Sequence, residues 1–328
     1  MGGYIIKRVI WIIPVMLSVL IIVFSISYFA PGDPVSTMLG SSYTEELYAK
    51  KAAEYGLDRP YIVQLGSYIW NIVTKLDLGK SLYTNIPVAK ELSNRLPITF
   101  KLSILGICLM VILGLPTGMV SALKQYSAID ATLTSLSLIL AAIPSFVLAL
   151  LCAMLFGVML KWLPVTGLDT VKSHILPVCC PALSGVAVYM RITRTTMLEV
   201  IRQDYIRTAR AKGLKESVII RKHALMNCMI PLSTVIGGMI ATVFSGSIIA
   251  ETIFSIPGMG MYMLSGISTR DYPIINGTVI VLSAFVCVVT LAVDILYAFI
   301  DPRIKANYTS SKKKENVMRE LLNTEEGV

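Results

Sequence analysis

Long uncharged runs alternate with short charged segments along the chain. Six intervals contain no Asp, Glu, Lys or Arg, and each has at least 18 residues: 9–32, 102–123, 131–160, 173–190, 224–250 and 272–293. A membrane-spanning helix needs about 20 largely apolar residues, and lipid offers no hydrogen-bond partners to an open backbone. The intervals are rich in Leu, Ile, Val, Met and Gly, without the two-residue alternation of barrel strands. The pattern therefore predicts an all-α polytopic membrane protein with about six transmembrane helices.

Composition and charge agree with this prediction. Hydrophobic residues make up 55% of the chain and charged residues 15%, whereas soluble proteins average about 25% charged residues. Lys7 and Arg8 precede the first apolar run, and no acid follows before Asp33, which places the N-terminus in the cytoplasm by the positive-inside rule. Six crossings return the C-terminus to the same side. The net charge of +9 then reflects topology, and nucleic-acid binding is a poor interpretation.

The apolar runs also divide the chain into units. The first run is too long for a secretory signal core and lacks a small-x-small cleavage site, so we expect it to remain as an anchor. In the polar segment that follows, Thr44 is a candidate N-cap, Gly56 a candidate helix stop, and Tyr61–Leu76 a second amphipathic helix. The predicted units are an N-terminal transmembrane anchor at 1–30, an extracytoplasmic segment at 31–98, a membrane domain at 98–302 and a cytoplasmic tail at 303–328.

Residues suited to covalent catalysis or metal binding are scarce. His174 and His223 are the two histidines and belong to no H-E-x-x-H motif, and no G-x-S-x-G is present. Gly79-Lys80-Ser81 resembles the end of a phosphate-binding loop, but Thr74 occupies the position of its first glycine. The six cysteines lie in or beside predicted spans and form no disulfide or metal pattern. We therefore expect no catalytic residue, no metal site and no cofactor bound by this chain.

Asp294 is essentially the one ionisable residue inside a predicted span. Such residues often mark functional sites, but a proton-coupled carrier would show more acids or histidines at mid-depth. A structural hydrogen-bond or ion-pair role for Asp294 is favoured over a proton relay. An ion-coupled secondary carrier, which would show inverted repeats, is kept as the alternative of another class. Otherwise the energy for transport must come from a partner.

The loop after the fourth apolar run is the most distinctive segment. Between residues 191 and 223 it holds nine basic residues against three acids. Gly213 is a candidate left-handed turn between two short amphipathic helices. The apolar face is predicted at Tyr205, Ala209, Val218, Ile219 and Leu225. A loop that merely fixes topology would have the same composition, but this pattern favours docking into a groove of a soluble partner.

The sequence of this loop resembles that of a known family. Asp204 to Leu214 reads DYIRTARAKGL, and Arg221 to Leu225 reads RKHAL. Both are similar to the coupling loop of ABC-importer permeases, and more narrowly to the B-type permease subunits of dipeptide, oligopeptide and nickel importers. Further matching motifs are APGDP at 30–34, YGLDRP at 55–60, DLGKS at 77–81, RLPIT at 95–99, PSF at 144–146, LP at 163–164, ETIFSIPGMG at 251–260, RDYP at 270–273 and DPR at 301–303.

The chain departs from the general importer signature at one informative place. Where that signature has Glu-Ala-Ala, six residues before the glycine, this chain has Arg207-Thr208-Ala209. No glutamate contact is therefore carried over, and Ala209, Gly213 and their basic neighbours are the expected docking surface. Within the coupling loop 191–228, the expected ATPase-coupling residues are Asp204, Tyr205, Arg207, Ala209, Arg210, Lys212, Gly213, Leu214 and His223. Pro257, Gly258 and Gly260 are expected to form a re-entrant turn at an external gate.

The resemblance implies a fold, partners and a function. The fold would be that of a type I ABC-importer permease, with a small external segment after the first helix. The implied partners are a second homologous permease, two ATP-binding subunits that carry ATP and magnesium, and an extracytoplasmic solute-binding protein that faces segment 31–98 and loop 251–271. The chain would lie among lipids in a bacterial cell membrane, with both termini cytoplasmic. Di- or oligopeptides are the expected substrates, and nickel or a metal chelate is the alternative.

Overall fold

A computed structural model describes residues 2–40 and 43–300 of the chain, without the side chains of residues 2–4, 230, 294 and 296–300. Helices dominate this part of the chain, and it contains no β-strand beyond one isolated bridge between Lys80 and Pro87. The helices are α1 (Gly2–Phe29), α2 (Pro34–Leu39), α3 (Glu45–Tyr55), α4 (Tyr61–Lys75), α5 (Val88–Leu123), α6 (Ala128–Ala142), α7 (Ser145–Cys152), α8 (Ile175–Ile201), α9 (Asp204–Ala211), α10 (Glu216–Val218), α11 (Met226–Ile253), α12 (Met259–Thr269) and α13 (Tyr272–Ile300). The predicted all-α class is confirmed.

Five of the described helices are long and apolar enough to cross a membrane, and a sixth span is possible if a bent pair is counted as one. That pair is α6 with α7 and its π-helical extension Ala153–Met159, and the two halves meet at an angle of 100°. The apolar run 131–160, predicted as one span, is therefore sharply bent near Pro144. Pro144 lacks a backbone N–H and disfavours helical geometry in Ile143, whose ψ is 123°.

Two spans extend well beyond their uncharged intervals. Helix α5 begins at Val88, so the last part of the predicted external segment 31–98 is the first part of this helix. With 36 residues, α5 is about 54 Å long and exceeds the roughly 30 Å hydrocarbon core. Helix α8 continues through the charged residues after 190 and ends at Ile201. Charged helix ends therefore project from the membrane on both sides.

Glycines bring α5 and α8 into close contact. A Cβ atom on Gly118 would lie 2.5 Å from the carbonyl oxygen of Met190 and 2.6 Å from Cβ of Thr193. One turn earlier, a Cβ on Gly114 would lie 3.0 Å from the ring of Tyr189. Small residues four apart allow two membrane helices to approach closely enough for extensive van der Waals contact. Helices α5 and α8 thus form the centre of the membrane domain.

Helices α2 to α4 form a layer over the ends of α1 and α13. Thr44 caps α3 by accepting a hydrogen bond from the amide of Leu47 at 3.3 Å, and Gly56 ends that helix with a φ of 68°. Both sequence predictions are confirmed. Leu78, just after α4, belongs to a buried cluster with residues of α5, α12 and α13. We call this side of the domain the α12 end, and the opposite side, which carries the loop between α8 and α11, the loop end.

Candidate functional site

The loop between α8 and α11 folds into two short helices around a glycine turn. Helix α9 ends at Ala211, and Gly213 has a φ of 74°, with its amide donating to the carbonyl of Arg210 at 2.9 Å. A Cβ on Gly213 would meet no atom within 4 Å, so the glycine is needed for its backbone conformation rather than for space. The predicted turn and half-helices are confirmed.

The second half-helix continues without interruption into the membrane domain. Helix α10 runs into a π-helical stretch, Ile219–Leu225, and α11 begins at the next residue, Met226. The backbone is therefore helical without interruption from α10 to the end of α11. His223 lies in this stretch, half-buried, and its backbone carbonyl accepts a hydrogen bond from the side-chain amide Nδ2 of Asn227 at 2.6 Å.

The inner face of both short helices is held in the core of the membrane domain. Ile206 and Ala209 of α9 are buried with Ile219 and Ala224, in one cluster with residues of α5, α8 and α11. The expectation that Ala209 belongs to the docking surface is therefore wrong. Ile206 is fully buried, and Ala209, three residues later, lies on the same side of the helix. Small side chains here allow the loop to sit close against the spans.

The opposite face is exposed, polar and largely basic. Tyr205 and Val218, which were assigned to the apolar face, are about half-exposed. The predicted coupling residues that lie exposed on this face or at the turn are Asp204, Tyr205, Arg207, Arg210, Lys212, Gly213 and Leu214. The structure therefore brings most of the predicted set together on one surface, which we call the loop surface.

An ion pair joins the two half-helices across the turn. Arg210 donates to both carboxylate oxygens of Glu216, with Nη2–Oε1 and Nε–Oε2 distances of 2.7 and 3.2 Å. The hydrogen bonds from Arg210 lower the pKa of the Glu216 carboxyl. Arg207 makes a longer contact of 3.7 Å with Asp204, and both side chains are highly exposed. The loop surface is thus braced by the Arg210–Glu216 ion pair across its turn, and it retains exposed positive charge.

A second ion pair fixes the neighbouring helix ends. Arg194 of α8 donates to both oxygens of Asp130 in α6, at 2.7 and 2.8 Å. Asp130 also accepts from the hydroxyl of Ser121 at 2.5 Å and from the amide of Tyr126 at 3.0 Å. The Asp130 side chain is only 6% exposed. Sequence reasoning missed this ion pair, although an acid in an otherwise uncharged stretch was the available signal.

At the α12 end, a buried glutamate organises the predicted gate turn. Glu251 of α11 is fully buried, and its carboxylate accepts from the hydroxyl of Thr99 at 2.5 Å and from the amide of Gly260 at 2.7 Å. The Thr99 oxygen in turn accepts from the amide of Met259 at 2.9 Å. A Cβ on Gly258 would lie 2.2 Å from the Glu251 carboxyl carbon, so a side chain there would displace the buried carboxylate from its hydrogen bonds.

Pro257 and Gly258 therefore lie in a turn between α11 and the short helix α12, and Gly260 is the second residue of α12. Eleven residues of α12 cover about 16 Å, too little to cross a bilayer, and α13 follows after Arg270. Sequence reasoning missed Glu251 and Thr99, which lie 152 residues apart in the chain. The Asp294 side chain lies outside the described part of the structure.

A further buried carboxylate, that of Asp271, connects the segment after α4 to the junction of α12 and α13. Asp271 is fully buried and accepts from the hydroxyl of Ser81 at 2.6 Å and from the amide of Leu82 at 3.0 Å. Burial raises the pKa of the Asp271 carboxyl, and these hydrogen bonds oppose that rise. The segment after α4 is thereby tied to the junction of α12 and α13.

Comparisons with known proteins agree with this geometry. Residues 114–306 match the model of the binding-protein-dependent transport system inner membrane component, and residues 1–103 match the model of its N-terminal region. Relatives include the dipeptide transport system permease DppB of Alkalihalophilus pseudofirmus, 37% identical with 93% of this chain and 100% of the relative covered. The oligopeptide transport system permease AppB of Bacillus subtilis is also 37% identical over the same shares. DppB of Escherichia coli is 34% identical, with 92% and 98% covered.

Among solved structures, an inward-facing form of the MetNI methionine ABC transporter superposes with a TM-score of 0.57. The match covers 64% of this chain and 96% of that chain at 16% identity, and it supports the fold. The two family models together match residues 1–103 and 114–306 of this helical chain. The chain therefore belongs to the family of binding-protein-dependent transport system inner membrane components, the permeases of ABC importers.

Proposed function

We propose that this chain forms half of the translocation pathway of an ATP-driven, binding-protein-dependent importer of di- or oligopeptides. The full-length relatives at 34–38% identity are named as permeases of peptide, dipeptide or oligopeptide transport systems. The other half would be a second homologous permease, and a solute-binding protein would deliver the peptide. The chain lies in a bacterial cell membrane, with both termini in the cytoplasm, the side to which the basic loop surface belongs.

The loop surface is the observation that carries this proposal. Its inner side is buried in the membrane domain, while its outer side presents Arg207, Lys212 and a braced turn to the aqueous phase. Such a surface suits a groove on an ATP-binding subunit, and the assembly would contain two such subunits. Those subunits hold ATP and magnesium and hydrolyse the nucleotide, whereas this chain carries out no covalent chemistry.

The helices around the loop would convert ATPase movement into transport. A displaced loop moves α11 directly, because the backbone is helical from Glu216 through Ile253. It moves α8 through the shared buried cluster, and the Asp130–Arg194 pair carries α6 along with α8. A rigid-body rotation of packed helices is a common form of switching between two states. The turn at Pro257 and Gly258, with Gly260 at the start of α12, would then open or close the pathway at the α12 end.

Charge reversal on the loop surface tests the docking role. In Arg207→Glu/Lys212→Glu, the surface loses the two exposed cations that lie outside the Arg210–Glu216 pair, and we expect the ATP-binding subunits to stop co-purifying with the two permeases. Lys124→Glu is the matched control, because it changes an exposed cation at the loop end outside the two short helices. Unchanged co-purification of the double variant, or equal loss in the control, would contradict docking at this surface.

Uptake by the reconstituted assembly tests the substrate. Vesicles that contain both permeases and the ATP-binding subunits should accumulate labelled di- or oligopeptides when ATP and the solute-binding protein are supplied. Uptake of nickel without any uptake of peptide would replace the peptide assignment by the metal alternative. Peptide uptake driven by an ion gradient in the absence of ATP would overturn the importer mechanism itself.

A further inference from the structure

Helix α4 has its polar and apolar faces reversed relative to a helix of a soluble protein. Ile62, Val63, Trp70 and Val73 point outward, and Trp70 and Val73 are 66% and 73% exposed. The polar side chains Gln64, Tyr68 and Asn71 point inward instead, where they line a cavity of about 360 Å³. An amphipathic helix in water turns its apolar side to the protein. Here that side is left open to the surroundings.

The hydroxyl groups of α4 at Ser67 and Thr74 are satisfied by the helix itself. Ser67 Oγ, at the edge of the cavity, donates to the carbonyl of Val63 at 2.7 Å, and on the outward side Thr74 Oγ1 donates to the carbonyl of Trp70 at 2.6 Å. This side therefore offers no free hydroxyl hydrogen to a protein partner or to water. Self-satisfied hydroxyls are what an apolar solvent requires, because an unpaired polar group there costs several kcal/mol, on the order of 4–8 for transfer from water to a hydrocarbon.

Contacts with α1 fix the depth of α4. The hydroxyl of Tyr61 lies 2.7 Å from Ser25 Oγ, and the Tyr61 ring lies 5.4 Å from that of Phe29. Two turns further along α4, the Tyr68 ring lies 5.4 Å from that of Phe24. These α1 residues are the last part of the apolar span Ile5–Phe29. Helix α4 therefore lies level with the end of a membrane span.

The second end of α4 is at a similar level. Leu78 and Gly79, which follow the helix, contact Gly277 and Pro273 in the first turns of α13. Next to α4, the α1 residues Ile22, Ile26 and Phe29 are exposed along the span itself. The exposed apolar face of α4 thus continues the exposed apolar surface of α1.

The ends of α4 complete the pattern of an interfacial helix. No Asp or Glu lies between Asp58 and Asp77, whereas exposed Arg59 and Lys75 flank the helix. Basic side chains at such positions can reach lipid phosphates, and tryptophan is enriched at the membrane interface. We infer that α4 lies in the membrane interface at the α12 end, with its apolar face inserted among lipid acyl chains. Helices α2 and α3 and the turn at 77–87 then remain available to a soluble partner.

Fluorescence of Trp70 tests this inference directly and does not depend on transport. The full-length chain with Trp11→Phe and Trp162→Phe, reconstituted in phosphatidylcholine vesicles, retains Trp70 as its single tryptophan. We expect lipids brominated near the headgroup end of the acyl chain to quench its emission more strongly than lipids brominated near the methyl end. This order corresponds to a depth of about 5–10 Å below the headgroup boundary. Iodide in the buffer should quench little.

A matched control moves the tryptophan to the polar helix α3. Leu47 is exposed there, so Leu47→Trp combined with Trp70→Phe should be quenched by iodide and not by brominated lipid. Val73→Trp with Trp70→Phe provides a second reporter on α4 and should behave like Trp70. Iodide quenching of Trp70 without quenching by brominated lipid would overturn the inference. So would loss of lipid quenching when the second permease subunit joins the chain, because the face would then be a protein interface.

Discussion

Arg210 and Glu216 close the loop surface by a two-point ion pair across the Gly213 turn, at 2.7 and 3.2 Å. Both side chains are about half-exposed, and exposed pairs contribute only about 0–1 kcal/mol to stability. The value of this pair therefore lies in geometry, since it holds α9 and α10 at a fixed angle beneath the spans.

Breaking this pair should reduce coupling more than stability. We expect Glu216→Ala to retain membrane insertion and melting temperature but to lower the peptide taken up per ATP hydrolysed. The reversed pair Arg210→Glu/Glu216→Arg should recover part of the loss. Measurements of uptake and hydrolysis on the same vesicles give this ratio, and an unchanged ratio in Glu216→Ala would show that the brace is dispensable.

The pH dependence of the pair follows from the direction of the pKa shift. Arg210 lowers the pKa of Glu216, so the contribution of the pair is present above the unfolded-state pKa of the glutamate. It is lost as the pH falls through the lower folded-state pKa. Glu216 therefore stays ionised near neutral pH, and small changes of pH there should not alter the wild-type ratio of uptake to hydrolysis through this pair. A decline caused by this pair is expected only in acid below the ordinary glutamate range, and Glu216→Ala should lack it.

The Gly213 turn is the second test of the loop. Proline cannot adopt the φ of 74° found there, so Gly213→Pro should abolish ATP-driven uptake while the spans still insert. Asparagine tolerates the left-handed region better than other residues, and Gly213→Asn should retain most uptake. Normal uptake by Gly213→Pro, at wild-type expression, would show that the turn is not needed for coupling.

Thr99 connects three elements at the opposite end, because its oxygen donates to Glu251 and accepts from Met259. Thr99→Val keeps the volume but leaves a buried amide and a carboxylate oxygen without this partner, which costs about 1–3 kcal/mol per group. We expect a lower melting temperature for Thr99→Val in detergent. Thr99→Ser keeps the hydroxyl and is the control, and equal melting temperatures for both variants would contradict the hydrogen-bond assignment.

The close approach of α5 and α8 gives a prediction about packing. In Gly118→Val, the new side chain would overlap the Met190 carbonyl and Thr193, and the helices would have to separate. Overpacking typically costs about 1–3 kcal/mol, so the variant should unfold at a lower temperature. Gly238→Ala is the control, because a Cβ there meets no atom within 4 Å. Equal stability of both variants would contradict close packing at Gly118.

Local signals in the sequence predicted local structure well. The Gly213 turn, the Thr44 cap and the apolar spans depend on residues a few positions apart, where conformational preference and periodicity act. The sequence pattern put Tyr205 and Ala209 on one apolar face of α9, whereas in the structure Ala209 is buried and Tyr205 is exposed. Only the packing of Ile206 against the spans decides which side is inward.

The sequence did not predict the side-chain pairs that form between residues far apart in the chain. Thr99 and Glu251 are 152 residues apart, and Asp130 and Arg194 are 64 apart. Nothing in either local pattern names the partner, because each pair exists only once the helices have packed. The family motifs RLPIT and ETIFSIPGMG contain Thr99 and Glu251, but they do not show that the Glu251 carboxylate holds the turn before α12.

The Asp130–Arg194 pair gives the last prediction. Asp130→Asn removes the charge that balances Arg194, and breaking a buried pair costs about 3–5 kcal/mol. The cost here should be lower, because the Arg194 side chain is 23% exposed. We therefore expect both a lower melting temperature and weaker coupling, since α6 would no longer follow α8. The double variant Asp130→Asn/Arg194→Met removes the unpaired charge, so it should regain stability without regaining coupling. If it regained both, the pair would be only a structural contact and α6 would move with α8 by packing alone.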